Sequence, residues 1–247
     1  MKIYILSIFP ELFASYLQNG LVKRAIDGGL LQVQLINFRD FTDDVHRTVD
    51  DIPFGGGSGM VIKPEPVIKA FFSIPEDDRT NSLRIVPSAR GALFDQDRAS
   101  KLALKDVLIF FAGRYKGFDQ RIVDIMDAEE LSVGDYVIQC GELPVMVMLD
   151  ASLRLLPDFI GDCDSAATDS FAGGKRILSA PDFTRPREYM GREVPPVLVS
   201  GNHAEIEKWK RREALRITME RRPELIPQAE LDEKDSKIIE ELNRKAH

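Results

Sequence analysis

The stretch DVLIFFAGRYKGFDQR (residues 106–121) joins a wholly apolar run to a glycine and a polar turn. We interpret the apolar run as a buried strand, which places Gly113 where that strand ends and where a ligand can rest against the backbone. Similar runs, rich in β-branched and aromatic residues, alternate with helical patterns over the first two thirds of the chain. This alternation predicts an α/β fold in which a mostly parallel sheet carries helices on both faces.

Working outward from residue 113, five segments are predicted to be strands: KIYILSIF (2–9), LLQVQLINF (30–38), SLRIVPS (82–88), DVLIFFAG (106–113) and SVGDYVIQ (132–139). Helical patterns lie near residues 64–72, 95–105, 119–127 and 143–156. In such a sheet, ligands bind beyond the carboxyl ends of the strands. We therefore expect the loops after IVPS, FFAG and DYVI to converge on one pocket.

Composition narrows the class of protein. The chain has 247 residues, of which 44% are hydrophobic and 30% charged, and this is typical of a globular protein. Two cysteines and three histidines lie far apart, so we expect neither a disulfide nor a zinc site. No apolar run could cross a bilayer and no signal peptide is recognisable, so we expect a cytoplasmic protein without a membrane partner. The net charge of −7 argues against DNA and requires a local basic patch for any nucleic-acid partner.

The composition of the sequence changes near residue 160, where a segment of small polar residues without periodicity begins. We predict an α/β domain over residues 1–160, a flexible linker over 161–175 and a small helical domain over 176–247. In the last of these, Asn202 is a predicted N-cap. The helix that follows is basic, and its cations either form a solvated face or bind an anionic partner. These cations are Lys208, Lys210, Arg211, Arg212, Arg216, Arg221 and Arg222.

The segment VDDIPFGGGSGM (49–60) places four glycines and a serine within five positions. It is neither a Walker loop, because no Gly-Lys-Ser/Thr ends it, nor a dinucleotide fingerprint, because no helix follows at once. Two interpretations stay open: an exposed flexible loop, or a loop shaped for the approach of a planar ligand or a phosphate.

Three further features each allow a structural and a functional interpretation. In SVGDYVIQCGELPVM (132–146), the glycines and proline bend the chain, either as a plain turn or to shape a site. Arg154, within an apolar helical pattern, either reaches solvent or points at an anion or a carbonyl oxygen. Asp169, among small residues, is either a cap or turn residue or a catalytic carboxylate.

Together these segments resemble one family, the bacterial tRNA (guanine-N1)-methyltransferases of the SPOUT superfamily. The resemblance implies a homodimer, with a C-terminal trefoil-type knot in the α/β domain forming an S-adenosylmethionine site and the helical domain binding tRNA. It also implies methyl transfer to N1 of guanosine 37, next to the anticodon. The matching segments keep one consistent order: SIFPELF (7–13), RDFTDDVHRTVDDIPFGGGSGM (39–60), GRYKGFDQR (113–121), SVGDYVIQCGELPVM, DSAATDSF (164–171), FTRPREYMGREVPPVLVSGNHAEIEKWK (183–210) and RRPEL (221–225).

The resemblance assigns roles by position. Asp169 is implied to be the base that takes the proton from N1, and Arg154 to stabilise the charge that develops on O6. The linker around Asp169 is implied to order over the partner chain's cofactor site when tRNA binds, so that the site is shared between chains. The residues implied to bind the cofactor are Ser88, Gly113, Val133, Gly134, Asp135, Tyr136, Val137, Ile138, Gly141 and Pro144.

Substrate contacts are also implied. Asp50, Gly57 and Gly59 fall in the segment expected near the substrate nucleotide, where bare backbone would let a flipped guanine approach. Lys208 and Arg212 of the basic helix are the candidates for tRNA contact.

Two positions depart from the family pattern: Lys116 stands where many relatives have Glu in GRYEG, and Cys140 where Gly is common in SGGELP. The family implies a need for magnesium, and Lys116 removes one carboxylate that could serve a hard cation. We keep magnesium as an expectation and assign no metal ligand.

Other interpretations remain. A related knotted enzyme could methylate a ribose or another base, although it would not need the DSF linker and the C-terminal helices. A non-enzymatic RNA-binding protein could keep the fold, although Asp169, Arg154, Gly134 and Gly141 are all retained here. A nucleotide-dependent oxidoreductase ranks last, because no dinucleotide fingerprint is present.

Overall fold

The computed structural model describes residues 1–160, 168–172 and 176–245. The chain divides into two compact units, Met1–Gly161 and Asp162–His247. Most of the predicted linker, residues 161–175, lies outside the described residues, so the predicted domain boundaries stay predictions. No helix within the described ranges is long and apolar enough to cross a bilayer.

The first unit alternates strands and helices. Its strands are β1 (Lys2–Ser7), β2 (Gln32–Asn37), β3 (Asp50–Asp51), β4 (Val61–Ile62), β5 (Ser82–Leu93), β6 (Val107–Phe111) and β7 (Glu129–Ser132). Its helices are α1 (Ala14–Leu17), α2 (Gly20–Asp27), α3 (Pro64–Phe72), α4 (Glu76–Thr80), α5 (Gln96–Ala103), α6 (Gln120–Met126) and α7 (Glu142–Leu153).

Five strands form one parallel sheet in the order β2-β1-β6-β5-β7, and β3 and β4 form a separate antiparallel pair. Strand β6, near the centre, is buried along its whole length. Continuous apolar runs of this kind arise because helices cover both faces of a parallel sheet, leaving no solvent side for polar residues. The predicted α/β fold with a mostly parallel sheet is confirmed.

Alternating side chains of each strand face two separate cores. Ile109 and Phe111 of β6 belong to one core, with α3 and α6 packed on it. Leu108 and Phe110 belong to the other, with α2, α5 and α7 packed on it. This division follows from the two-residue period of a strand, in which successive side chains point to opposite faces.

One predicted strand is wrong. The segment 132–139 contributes only Ser132 to β7, and residues 133–139 form an irregular loop. Gly134 has φ +146°, outside the strand region, and the apolar side chains of Tyr136 and Val137 are exposed. The other four predicted strands are confirmed, although β5 continues to Leu93.

The second unit contains a short hairpin and two longer helices. Its elements are β8 (Glu188–Tyr189), β9 (Arg192–Glu193), α8 (His203–Arg221) and α9 (Glu233–Lys245). The predicted N-cap is confirmed, because Oδ1 of Asn202 accepts a hydrogen bond from the backbone N–H of Glu205 at 3.4 Å. Leu215 is fully buried between the helices.

A buried ion pair joins α8 to α9. The guanidinium of Arg211 donates to both carboxylate oxygens of Asp235, at 2.7 and 2.6 Å, and Asp235 is only 3% exposed. The hydrogen bonds raise the pKa of Arg211, which stays charged. Because such paired, charged hydrogen bonds are directional, the pair fixes how the two helices lie against one another.

We expect Asp235→Asn to lower the free energy of unfolding of the second unit by about 2 kcal/mol, because one charged acceptor is removed beside a part-buried guanidinium. Urea unfolding followed by the fluorescence of Trp209, the single tryptophan, reports on this unit. The matched control is Glu240→Gln, whose contact with Arg244 is 3.8 Å between two exposed side chains and contributes below about 0.5 kcal/mol. Equal unfolding free energies for the two variants would contradict a structural role for the buried pair.

Candidate functional site

A cavity of about 430 Å³ lies at the carboxyl ends of β6 and β7, beside the middle of β5. Its walls come from residues 86–90 within β5, from the loop 113–118 after β6, and from residues 130–134 and 136–141 at the end of β7 and in the loop that follows. Pro144 of α7 closes one side. Parallel strands end at the same edge of a sheet, so the loops that follow them meet there. The loops expected after FFAG and DYVI do converge on this pocket, whereas the residues after IVPS line it from within β5.

Nine of the ten residues predicted to bind a cofactor line this cavity: Ser88, Gly113, Val133, Gly134, Tyr136, Val137, Ile138, Gly141 and Pro144. Asp135 belongs to the same loop but does not line the cavity. Ser88 lines the cavity because the pairing of β5 with β7 is interrupted between Pro87 and Ala92.

Two glycines bring the start of α7 against the end of β6. The backbone N–H of Gly141 donates to the carbonyl oxygen of Gly113 at 2.7 Å, and Arg114 and Cys140 form the adjacent bridge. A Cβ atom at position 141 would lie 2.4 Å from the nitrogen of Gly113, which no side chain tolerates. The wall of the cavity is therefore bare backbone at this point.

Local contacts form the tight turn at the start of the loop between β7 and α7. Ser132 Oγ donates to the carbonyl oxygen of Gly134 at 3.0 Å and accepts from its N–H at 3.2 Å. A Cβ atom at position 134 would lie 2.5 Å from the ring of Tyr136. The side-chain hydroxyl thus closes a tight turn, and the glycine leaves room for the aromatic ring beside it.

A buried carboxylate behind the cavity was not predicted from the sequence. Glu142 is fully buried; its Oε1 accepts from Ser7 Oγ at 2.7 Å, and its Oε2 lies 3.1 Å from Nε of Arg114. That guanidinium also stacks over the ring of Phe9 at 4.6 Å. The network joins the end of β1, the loop after β6 and the start of α7. Only the presence of Ser7 and Glu142 in the quoted SIFPELF and GELP segments could have pointed to it.

The glycine-rich loop packs against the cavity wall. Gly55, Gly56, Gly57 and Gly59 all have φ between +81° and +105°, which favours glycine strongly. The N–H of Lys116 donates to the carbonyl of Met60 at 3.0 Å, and the N–H of Ile62 to that of Gly117 at 2.9 Å. The glycines are therefore required by the backbone conformation itself. Whether they also admit a guanine stays a prediction.

Lys116 runs along this loop. Ideal Cβ positions at Gly57 and Gly59 lie 3.4 Å from atoms of its side chain, and the residue also lines the cavity. The positively charged side chain of Lys116 therefore lies where the cavity wall meets the glycine-rich loop. Asp50 lies in β3, paired with Ile62 of β4, at the base of the same loop.

The two predicted catalytic residues belong to different units. Arg154, half-buried, caps the carboxyl end of α7, and its N–H donates to the carbonyl of Asp150 at 3.3 Å. Asp169, half-buried, lies in the short described stretch 168–172, where its backbone carbonyl accepts a hydrogen bond from the N–H of Ala172 at 3.2 Å. Next to it, Ser170 Oγ accepts from the N–H of Ser179 at 2.9 Å, which fixes this stretch within its own unit.

The two predicted tRNA contacts on α8 differ in their surroundings. Arg212 donates to Glu241 at 2.8 Å, whereas Lys208 is exposed and has no ion pair with any residue the structure describes. A phosphate would have to compete with a carboxylate for Arg212 but not for Lys208.

Comparison with known proteins gives one consistent result. A family model described as tRNA (Guanine-1)-methyltransferase TrmD matches residues 1–228. A tRNA (guanine-N(1)-)-methyltransferase of Dictyoglomus turgidum is 45% identical over 99% of this chain and 97% of its own length. Proteins of the same description from Desulforudis audaxviator and Staphylococcus epidermidis are each 44% identical over 99% of this chain, covering 97% and 98% of their own lengths.

We expect Glu142→Gln to lower the free energy of unfolding by about 3 kcal/mol, because Arg114 would keep its charge at a buried site without a carboxylate. Urea unfolding followed by far-ultraviolet circular dichroism measures the decrease. The matched control is Glu130→Gln, which removes a carboxylate paired at 3.2 Å with the largely exposed Arg90 and costs less than about 1 kcal/mol. A Glu142 variant as stable as this control would mean that the buried network does not hold the cavity walls.

Proposed function

The chain belongs to the tRNA (guanine-1)-methyltransferase family, and from this membership we propose that it transfers a methyl group from S-adenosylmethionine to N1 of guanosine 37 in tRNA, next to the anticodon. The match of the family model over residues 1–228 carries the proposal. A tRNA-modifying enzyme acts where tRNA is made and used, so we place it in the cytoplasm.

The cavity fits the cofactor. Its walls combine apolar side chains with bare backbone at Gly113, Gly134 and Gly141, positions where a Cβ atom would clash with the surrounding chain. A cleft of this volume, mostly apolar and with a few backbone polar groups, suits an adenosine-sized ligand. S-adenosylmethionine would supply the methyl group there. The nine lining residues are proposed to hold it, with Asp135 supporting the same loop from outside the cavity.

The catalytic roles follow from the chemistry of guanine. N1 carries a proton that must leave as the new bond forms, and we assign its removal to the carboxylate of Asp169. Negative charge then develops on O6, and the guanidinium of Arg154 is suited to stabilise it by charge-assisted hydrogen bonds. In this proposal the protein is a homodimer, and Asp169 of one chain completes the site built by the other.

Two further parts of the proposal concern the knot and the tRNA-binding domain. The chain passes from β6 to β7, on the far side of β5, and then returns to contact β6 through Gly141. We propose that this return is part of a trefoil knot. The helices of the second unit are proposed to form the small tRNA-binding domain, and Asp50, Gly57, Gly59, Lys208 and Arg212 remain the proposed substrate contacts.

Magnesium stays a prediction, since the described residues assign no ligands to it. Among residues 1–160, 168–172 and 176–245, no three side chains of His, Cys, Asp or Glu come together to hold a cation. Lys116 adds a positive charge at the cavity rim. We therefore derive no step through a metal ion.

The reaction is tested with two unmodified tRNA transcripts that differ only at position 37, one with guanosine and one with adenosine. We expect labelled methyl groups from S-adenosylmethionine to enter only the guanosine transcript. Asp169→Ala should lower kcat by at least about a hundredfold, because the proton on N1 loses its acceptor. Asp169→Asn is the size-matched variant and should be equally slow.

Label in neither transcript, or equal label in both, would refute guanosine 37 as the target. Full activity of Asp169→Ala would refute only the assignment of the base. These two failures are therefore distinguishable in one experiment.

Gly141→Ala should weaken S-adenosylmethionine binding by more than about a hundredfold, because its Cβ would push α7 away from the end of β6. Isothermal titration calorimetry measures the affinity, and circular dichroism shows whether the fold persists. Gly28→Ala is the control: it also adds one methyl group, at the end of α2, and its nearest neighbour is the Arg24 carbonyl at 3.1 Å. Unchanged affinity in Gly141→Ala would contradict this cavity as the cofactor site.

A further inference from the structure

Most arginines of α8 and of the turn after it are already engaged by carboxylates. Arg211 pairs with Asp235 at 2.6 Å, Arg216 with Glu213 at 2.9 Å, and Arg222 with Glu224. Each pair neutralises a cation that the sequence alone would assign to an anionic partner. The basic composition of this helix therefore overstates the positive charge that it can offer to RNA.

The hairpin formed by β8 and β9 has a different character. Its register pairs Glu188 with Glu193 and Tyr189 with Arg192. The turn residues Met190 and Gly191 both have positive φ, at +49° and +71°, as in the two-residue turns that match strand twist. A backbone hydrogen bond from Val194 to the Arg187 carbonyl, at 2.9 Å, continues the ladder by one more pair.

This register separates the charges of the hairpin. Successive side chains of a strand point to opposite faces, and directly paired residues share a face. Arg187, Tyr189 and Arg192 therefore share one face, and Glu188 and Glu193 share the other. One face is cationic and aromatic, while the other is purely acidic.

The cationic face is open to solvent. Arg187 and Arg192 are exposed, and neither forms an ion pair with any residue of the described ranges. Tyr189 is 64% exposed. Phe183, just before the hairpin, contacts the ring of Trp209 in α8 at 6.3 Å between centroids, so the segment leading into the hairpin is anchored to the helix.

We propose that the face formed by Arg187, Tyr189 and Arg192, the hairpin face, is an RNA-binding surface of this protein. The two guanidinium groups contact phosphates, and the ring of Tyr189 stacks on an unpaired base between them. Glu188 and Glu193 repel phosphates from the opposite face, so the hairpin meets RNA on one side only. This inference rests on the proposed function, because it identifies a surface that binds the same tRNA substrate.

The test measures binding of a fluorescent, unmodified tRNA transcript to the full-length protein, without cofactor, over a series of salt concentrations. The double variant Arg187→Gln/Arg192→Gln should bind about tenfold more weakly, and the slope of log K against log salt should fall by about 1.4, or about 0.7 for each phosphate that is no longer neutralised. Tyr189→Ala should weaken binding by about tenfold with the slope unchanged, and Tyr189→Phe should stay within about twofold of the wild type.

The matched control is Arg216→Gln/Arg222→Gln, which removes the same formal charge from side chains that already have carboxylate partners. It should weaken binding by less than about twofold. Trp209 fluorescence, which is sensitive to the contact with Phe183, shows whether the hairpin variants keep the local fold.

Each outcome points to one conclusion. Wild-type protein that binds no tRNA would overturn the proposed function and this inference with it. Wild-type protein that binds tRNA, together with hairpin variants that bind as tightly and with the same salt slope, would overturn only the hairpin face. A control that weakens binding as much as the hairpin variant would also overturn it, because net charge alone would then explain the effect.

Discussion

The hydrogen bond from Gly141 to the Gly113 carbonyl is the contact on which the rest of the cavity depends. It brings the chain after β7 back to the end of β6, although β5 lies between these two strands in the sheet. The loop of residues 133–140 is thereby held at both ends, and its apolar side chains form a wall although they lie in no strand. A side chain at either glycine would meet atoms closer than 3 Å. The cavity thus exists because two backbones approach without side chains between them.

Sequence patterns predicted four of the five strands of the sheet, and the signal is clearest in β1 and β6, whose residues are buried along almost the whole strand. Strand β7 was missed, because its residues Glu129–Ser132 carry no apolar run. The patterns also failed at residues 133–139, where a β-like composition sits on a backbone that Gly134 turns out of the strand region. The composition of a segment does not show its distant contacts, and the conformation of this loop depends on a contact with the end of β6, which is far away in the sequence. The network of Ser7, Arg114 and Glu142 was missed for the same reason, since no local pattern predicts its partners.

The candidate site was predictable to different degrees. The cofactor candidates came together because family motifs lie at the ends of neighbouring strands, and the strand pattern had indicated the same loops. Counting basic residues did not predict which arginines of the second unit are accessible to a partner. Arg212 and Arg216 lie in the basic helix, yet each has a carboxylate partner. Arg187 and Arg192, in a segment of mixed charge, are left accessible by the hairpin register. Position on a strand, more than composition, decides which cations remain available.

The bond between Ser7 and Glu142 spans 135 residues and has a consequence for how the protein is made. During synthesis β1 leaves the ribosome first, but it pairs with β6, in which Val107 lies opposite Lys2. Until β6 and α7 have emerged, one edge of β1 stays unpaired, because only β2 lies beside it, and Ser7 lacks its carboxylate partner. The nascent first unit must therefore pass through a long stage of exposed strand surface, which is the kind of surface that molecular chaperones bind.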